Sequence, residues 1–168
     1  MTNYSKKISL LFSFLLIIFF SACKKDTVLN DDENTDGKDM TSVLMEILND
    51  YRGKGCNCGS EYYPPVPALK INDTLTLAAK DHCLYMKNTG NFSHQQDNGS
   101  NVWDRISAYN YKWSYCGENI ANGFQTEKDV MEGWIKSEGH CKNIMNPEFT
   151  ETGIARNGDY WTQVFASH

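Results

Sequence analysis

With 168 residues and a net charge of −5, the chain has room for one ordinary domain and little besides. Its 16 cations are outnumbered by 21 acids, which argues against nucleic acid as a partner, because phosphate binding needs clustered lysine and arginine. No G-x-G-x-x-G or P-loop pattern is present, so nucleotide use has no support either.

The first segment reads as an export signal. Lys6 and Lys7 form a cationic start. Residues 8–20 are apolar except Ser9 and Ser13, a run too short to span a membrane comfortably. Phe20-Ser21-Ala22-Cys23 has the form of a lipobox, which makes 1–22 the signal and Cys23 the acylated N-terminus. Residues 24–38 are polar and acidic, with one apolar pair at Val28 and Leu29. They cannot bury enough surface to fold, so 23–38 is expected to be a flexible tether. Losing two lysines with the signal takes the net charge to about −7. The expected location is the cell envelope, periplasmic or surface-exposed, with the chain attached to the membrane by its lipid and not spanning it.

The folded body is expected over 39–168. Asp39 can cap a helix whose stripe is Met40, Val43, Leu44, Ile47, Leu48 and Tyr51, ended by Gly53 and Gly55. Pro64-Pro65-Val66-Pro67 predicts an extended, rigid loop. Asn72 caps a second helix reaching about Thr89, with Gly90 beyond it. On that helix His82 lies on or beside the apolar face and reads as structural. A shorter helix follows Ser100 or Asn101 and buries Val102, Ile106 and Tyr109. Residues 111–121 read as an aromatic-rich strand. Thr126 caps a fourth helix that Gly139 breaks. Last, 152–156 and 159–166 form a hairpin across Asn157-Gly158, which predicts a type I′ turn. Helices followed by a closing hairpin give an α+β domain.

Five cysteines follow Cys23: Cys56, Cys58, Cys83, Cys116 and Cys141. Outside the cytoplasm they predict two disulfides and one free thiol, in a pairing the spacing leaves open; Cys56 and Cys58 are too close to favour each other. Zinc held by these cysteines is the rival reading, but the spacing is poor for it. Polar side chains meet chain breaks at Phe92-Ser93-His94, Gly117-Glu118-Asn119 and Ser137-Glu138-Gly139-His140-Cys141. Histidine with glutamate can hold a divalent metal or move protons near neutral pH. Neither an H-E-x-x-H nor a G-x-S-x-G motif is present.

These pieces, in this order, resemble the CAP superfamily of cysteine-rich secretory, antigen 5 and pathogenesis-related proteins, and within it the bacterial SCP-like branch. The match runs from Pro64-Pro65-Val66-Pro67-Ala68-Leu69 and Leu77-Ala78-Ala79 through the three segments above. It closes on Gly153-Ile154-Ala155 and Tyr160-Trp161-Thr162-Gln163-Val164-Phe165. The resemblance implies a three-layer α-β-α sandwich with a small antiparallel sheet packed between helices. It also implies a central cleft of two histidines and two acids that in some relatives binds zinc or another divalent cation. His94, Glu118 and His140 match three of those positions. Asp97 is the nearest candidate for the fourth and Asp104 a more distant one; Glu138 stands where many relatives have proline. His94 and His140 are expected to ligate a metal, with Glu118 as a water-mediated or supporting partner. The implied function is a cell-surface module for an extracellular small molecule, lipid or protein. The alternative is a metal-assisted, peptidase-like hydrolase using the same His94, Glu118 and His140.

Overall fold

The computed structural model describes residues 39–168; the expected signal, Cys23 and the tether lie outside the described residues. The first helix, α1 (Met40–Lys54), begins where Asp39 accepts a hydrogen bond from the Ser42 amide, and Gly55 closes it with φ +76°. A hairpin absent from the sequence expectation follows, β1 (Cys56–Cys58) against β2 (Glu61–Tyr63). The short β3 (Lys70–Ile71) leads into α2 (Asp73–Thr89), where Asn72 accepts from the Thr74 and Leu75 amides and Gly90 terminates in the left-handed region. Then come α3 (Val102–Ala108) and β4 (Tyr115–Asn122), the latter starting later than expected: Tyr111 lies before it, buried in the core with α2 and α3, its hydroxyl donating to Glu151.

The fourth helix, α4 (Glu127–Lys136), is capped by Thr126 and ends at Ser137, whose extended backbone (φ −90°, ψ 116°) also opens α5 (Glu138–Ile144). Gly139 is therefore not the breaker: it lies inside α5, and Ser137 makes the corner. The chain closes with β5 (Glu151–Asn157) and β6 (Tyr160–Ser167). Asn157 pairs with Tyr160, so the two-residue loop is Gly158-Asp159 rather than Asn157-Gly158. Of these two only Gly158 has positive φ, at +61°, which is the type II′ requirement and not the type I′ one.

The sheet runs β3-β5-β6-β4, antiparallel except for the parallel β3–β5 pair. It is thus mixed, not purely antiparallel, but small and sandwiched as expected. On one face Leu44, Leu48, Met131, Trp134 and Ile144 from α1, α4 and α5 pack on Trp161 and Phe165. On the other, Leu75, Ala79, Cys83 and Ile106 from α2 and α3 pack on Val164 and Ala166. The period-two alternation of β6 feeds both cores. Gly153 lets α2 settle directly on β5: a Cβ there would come 2.1 Å from the Leu75 carbonyl carbon.

Arg52, fully buried, ties the first layer together without a carboxylate. Nε donates to Pro67 O at 2.7 Å, Nη1 to Ile144 O at 2.6 Å and Asn146 O at 3.0 Å, and Nη2 to Phe149 O at 3.3 Å. Burial lowers its pKa to about 10, which leaves it charged at neutral pH.

The described residues contain one disulfide, Cys58–Cys141, and not the two expected. The buried Cys83 thiol is committed to the sheet, donating to Ala155 O at 3.4 Å and Thr162 Oγ1 at 3.2 Å. Cys56 and Cys116 are also free. No described helix is long and apolar enough to cross a membrane.

Candidate functional site

The site forms around Glu118, in the middle of β4. Strand alternation and the pairing of Glu118 with Val164 turn its side chain toward the α2–α3 layer, and the β4 position leaves it at the edge of the sheet. The side chain is only 2% exposed. An acid so enclosed needs partners. Arg105 of α3, itself buried, donates from Nη2 to Glu118 Oε2. His94, in the loop after α2, places Nδ1 2.9 Å from Glu118 Oε1. Arg105 also donates from Nη1 to His94 O at 3.1 Å and Ser100 O at 3.3 Å, so one guanidinium holds both the acid and the histidine loop.

His82 of α2 approaches the same carboxylate. Its Nε2 lies 3.7 Å from Glu118 Oε1 and has no hydrogen-bond partner, and the ring is fully buried. Burial pushes its pKa down to about 4, against the opposing pull of Glu118. The structural reading of His82 is therefore incomplete: it is a neutral wall of the Glu118 pocket.

His94 is the solvent-facing member, its side chain 57% exposed. With Nδ1 engaged by Glu118, Nε2 is the ring nitrogen left for another partner. His94, Val102, Trp103, Cys116 and Glu118 line a cleft of about 270 Å³. His140, half-buried on α5, is not among its walls, but burial and the nearby His94 both lower its pKa. A charge on His94 thus disfavours a charge on His140. Behind them, Asn119 donates to His140 O at 3.2 Å, and Asn143 donates to Glu118 O at 3.2 Å and Asn119 Oδ1 at 2.9 Å. This amide ladder fixes α5 on the back of β4.

The two acidic candidates for a fourth member turn elsewhere. Asp97 is exposed, with Oδ1 accepting from Asn91 Nδ2 at 2.9 Å. Asp104 caps α3, accepting from the Asn101 amide at 3.0 Å. Glu138 pairs with Lys142 on the surface of α5. Sequence reasoning missed Arg105, Asn119 and Asn143. The signal for Arg105 was its place one residue before Ile106, on the inward side of a short helix. Among the described residues, only Cys56, Cys58 and Cys141 bring three potential ligand atoms within 4.8 Å of one another. The His94, Glu118 and His140 group is therefore a looser arrangement of two imidazoles and an enclosed acid.

The family model described as CAP, the cysteine-rich secretory protein family, matches residues 45–165. The uncharacterized protein YkwD of Bacillus subtilis (strain 168) is 37% identical over 99 residues, which is 58% of this chain and 38% of that protein. The uncharacterized membrane protein YlbC of the same organism is 33% identical over 84 residues, 50% of this chain and 24% of that protein. The chain thus spans well under half the length of both relatives. Among solved structures, an extracellular protein containing a SCP domain from Bacillus anthracis str. Ames superposes with a TM-score of 0.67 at 26% identity, covering 76% of this chain and 40% of that one. An outer surface protein from Borrelia burgdorferi has the same TM-score of 0.67 at 22% identity, over 81% of this chain and 98% of that one, which is a likeness of fold.

Proposed function

The chain belongs to the CAP family of cysteine-rich secretory proteins, and on that premise we propose that it works outside the cytoplasm as a binding module whose His94/Glu118/His140 site takes a divalent cation. One observation carries the reading. Glu118, held by Arg105, fixes the half-exposed His94 through Nδ1, which leaves Nε2 as the ring nitrogen open to a ligand. A carboxylate behind a histidine in this way sets the tautomer and orientation that metal ligation requires.

Two imidazoles backed by a carboxylate are a donor set of the kind such an ion takes. His94 and His140 would hold it as neutral imidazoles, and the lowered pKa of His140 keeps that ring neutral further into acid. Glu118 would support it without direct contact, since both its oxygens already have partners. A cation there supplies a positive charge with open positions for an anionic or carbonyl-bearing ligand. Two imidazoles make a site of modest affinity, which weakens as falling pH protonates them. The two extracellular or surface proteins that share the fold support the location. An acylated Cys23 would hold the module at the envelope.

Calorimetric titration with zinc near pH 7.5 tests the site, in a Cys56→Ser background that removes the thiol beside the disulfide. Saturable binding is expected, and lost in His94→Ala/His140→Ala. Equal binding by the double variant ends the reading.

A further inference from the structure

Three cysteines meet where α5 packs against the β1–β2 hairpin. Cys58 and Cys141 are joined as a disulfide, and Cys56 is a free thiol with Sγ 3.7 Å from Cys141 Sγ. All three sulfurs lie within 4.8 Å of one another. The spacing explains the convergence. Residues two apart on a strand face the same side, so Cys56 and Cys58 both address Cys141. Exposure separates them: Cys58 and Cys141 are fully buried, whereas Cys56 is partly exposed.

We propose that Cys56, Cys58 and Cys141 form a thiol–disulfide relay, in which Cys56 takes over the bridge from Cys58 and gives external low-molecular-weight thiols their route to it. In the first step Cys56 loses its proton to water and its thiolate attacks Cys141 Sγ. The Cys56–Cys141 bond forms, the Cys58–Cys141 bond breaks, and Cys58 leaves as a thiolate that takes up a proton. One thiol and one disulfide exist before and after, so nothing is oxidised overall. The bridge now contains a sulfur that solvent reaches. An external monothiol attacks Cys56 Sγ, making a mixed disulfide and releasing Cys141 as thiol. A second monothiol then attacks the mixed disulfide, freeing Cys56 and leaving as the external disulfide. Two external thiols are oxidised and one protein disulfide is reduced.

The exchange acts on the residue next to His140. While the bridge moves, Cys141 stays tethered to β1 and α5 keeps its anchor; full reduction removes that covalent tie.

The test compares native-state reduction by excess glutathione in the full chain, its Cys56→Ser variant and its Cys116→Ser variant. Samples are quenched in acid, alkylated and peptide-mapped for the Cys141 disulfide. Cys56→Ser keeps both sulfurs of the original bridge, so the starting state is the same. Reduction is expected to be at least about tenfold slower in Cys56→Ser, since an intramolecular attack is replaced by one on buried sulfur, and unchanged in Cys116→Ser. Equal rates in wild type and Cys56→Ser, whether fast or slow, overturn the relay. Equal slowing by Cys116→Ser overturns it too.

Discussion

Replacing Glu118 by glutamine tests whether the site rests on a desolvated ion pair. Glu118 and Arg105 are 2% and 5% exposed, so neither charge is rehydrated when its partner is removed. Breaking such a pair from one side costs about 3–5 kcal/mol. Glutamine keeps the shape and one acceptor oxygen, and Arg105 retains the His94 and Ser100 carbonyls, so the lower end applies, about 3 kcal/mol. An unfolding entropy of about 2.1 cal/mol/K per residue over roughly 130 residues is about 0.27 kcal/mol/K, which converts that loss to about 11 °C in Tm. Calorimetric melts near pH 7 measure it. Adding Arg105→Met removes the stranded charge, so the double variant should lose less than the two single variants together. A Glu118→Gln melt within about 3 °C of wild type refutes the argument, because a pair so weak would have to be solvated.

Three further outcomes follow. Gly153→Ala should force α2 off β5 and destabilise by about 1–3 kcal/mol or more, read as a lower denaturant midpoint; an unchanged midpoint would deny the close approach. Arg52→Met strands four carbonyls and should lose about 4 kcal/mol or more in urea unfolding, with Arg52→Lys restoring only part, since one ammonium cannot reach them all. His82 gives a pH signature. Its folded pKa of about 4 lies below the ordinary 6.5, so between these values the unfolded chain binds the extra proton. Its contribution is therefore intact above pH 6.5 and lost as pH falls toward 4, with a slope of at most about 1.4 kcal/mol per pH unit. His82→Gln should flatten that part of the stability–pH curve, and an identical curve would contradict it.

Much of this arrangement was legible in the sequence because the signals were local. Asp39, Asn72 and Thr126 each cap the helix that their side chain and the following stripe announce. The alternation of 160–166 marks a strand with two buried faces, hence a layer on each side. What escaped depends on distant partners. Arg105 is an ordinary arginine until β4 brings Glu118 to it, and Arg52 is another until carbonyls more than 90 residues away close around it. His82 could be placed on an apolar helix face, but not against an acid 36 positions later. The turn shifted by one residue because Gly158, and not Asn157, occupies the left-handed position that the strand register requires.

The strand order has a consequence for how the protein comes into being. Among the described residues β4 pairs within its sheet only with β6, which lies about 40 residues further along the sequence. A polypeptide emerging N-terminus first therefore carries Glu118 on an unpaired strand until residues 160–167 arrive. Arg52 likewise waits for carbonyls beyond residue 143. Folding of this kind is nonlocal and slow to start, and a chain stopped before residue 160 would lack the strand on which its binding strand is built. Such a product would have no site, and its helices would lack the β6 face they pack on, so the pocket can form only once synthesis has passed residues 160–167.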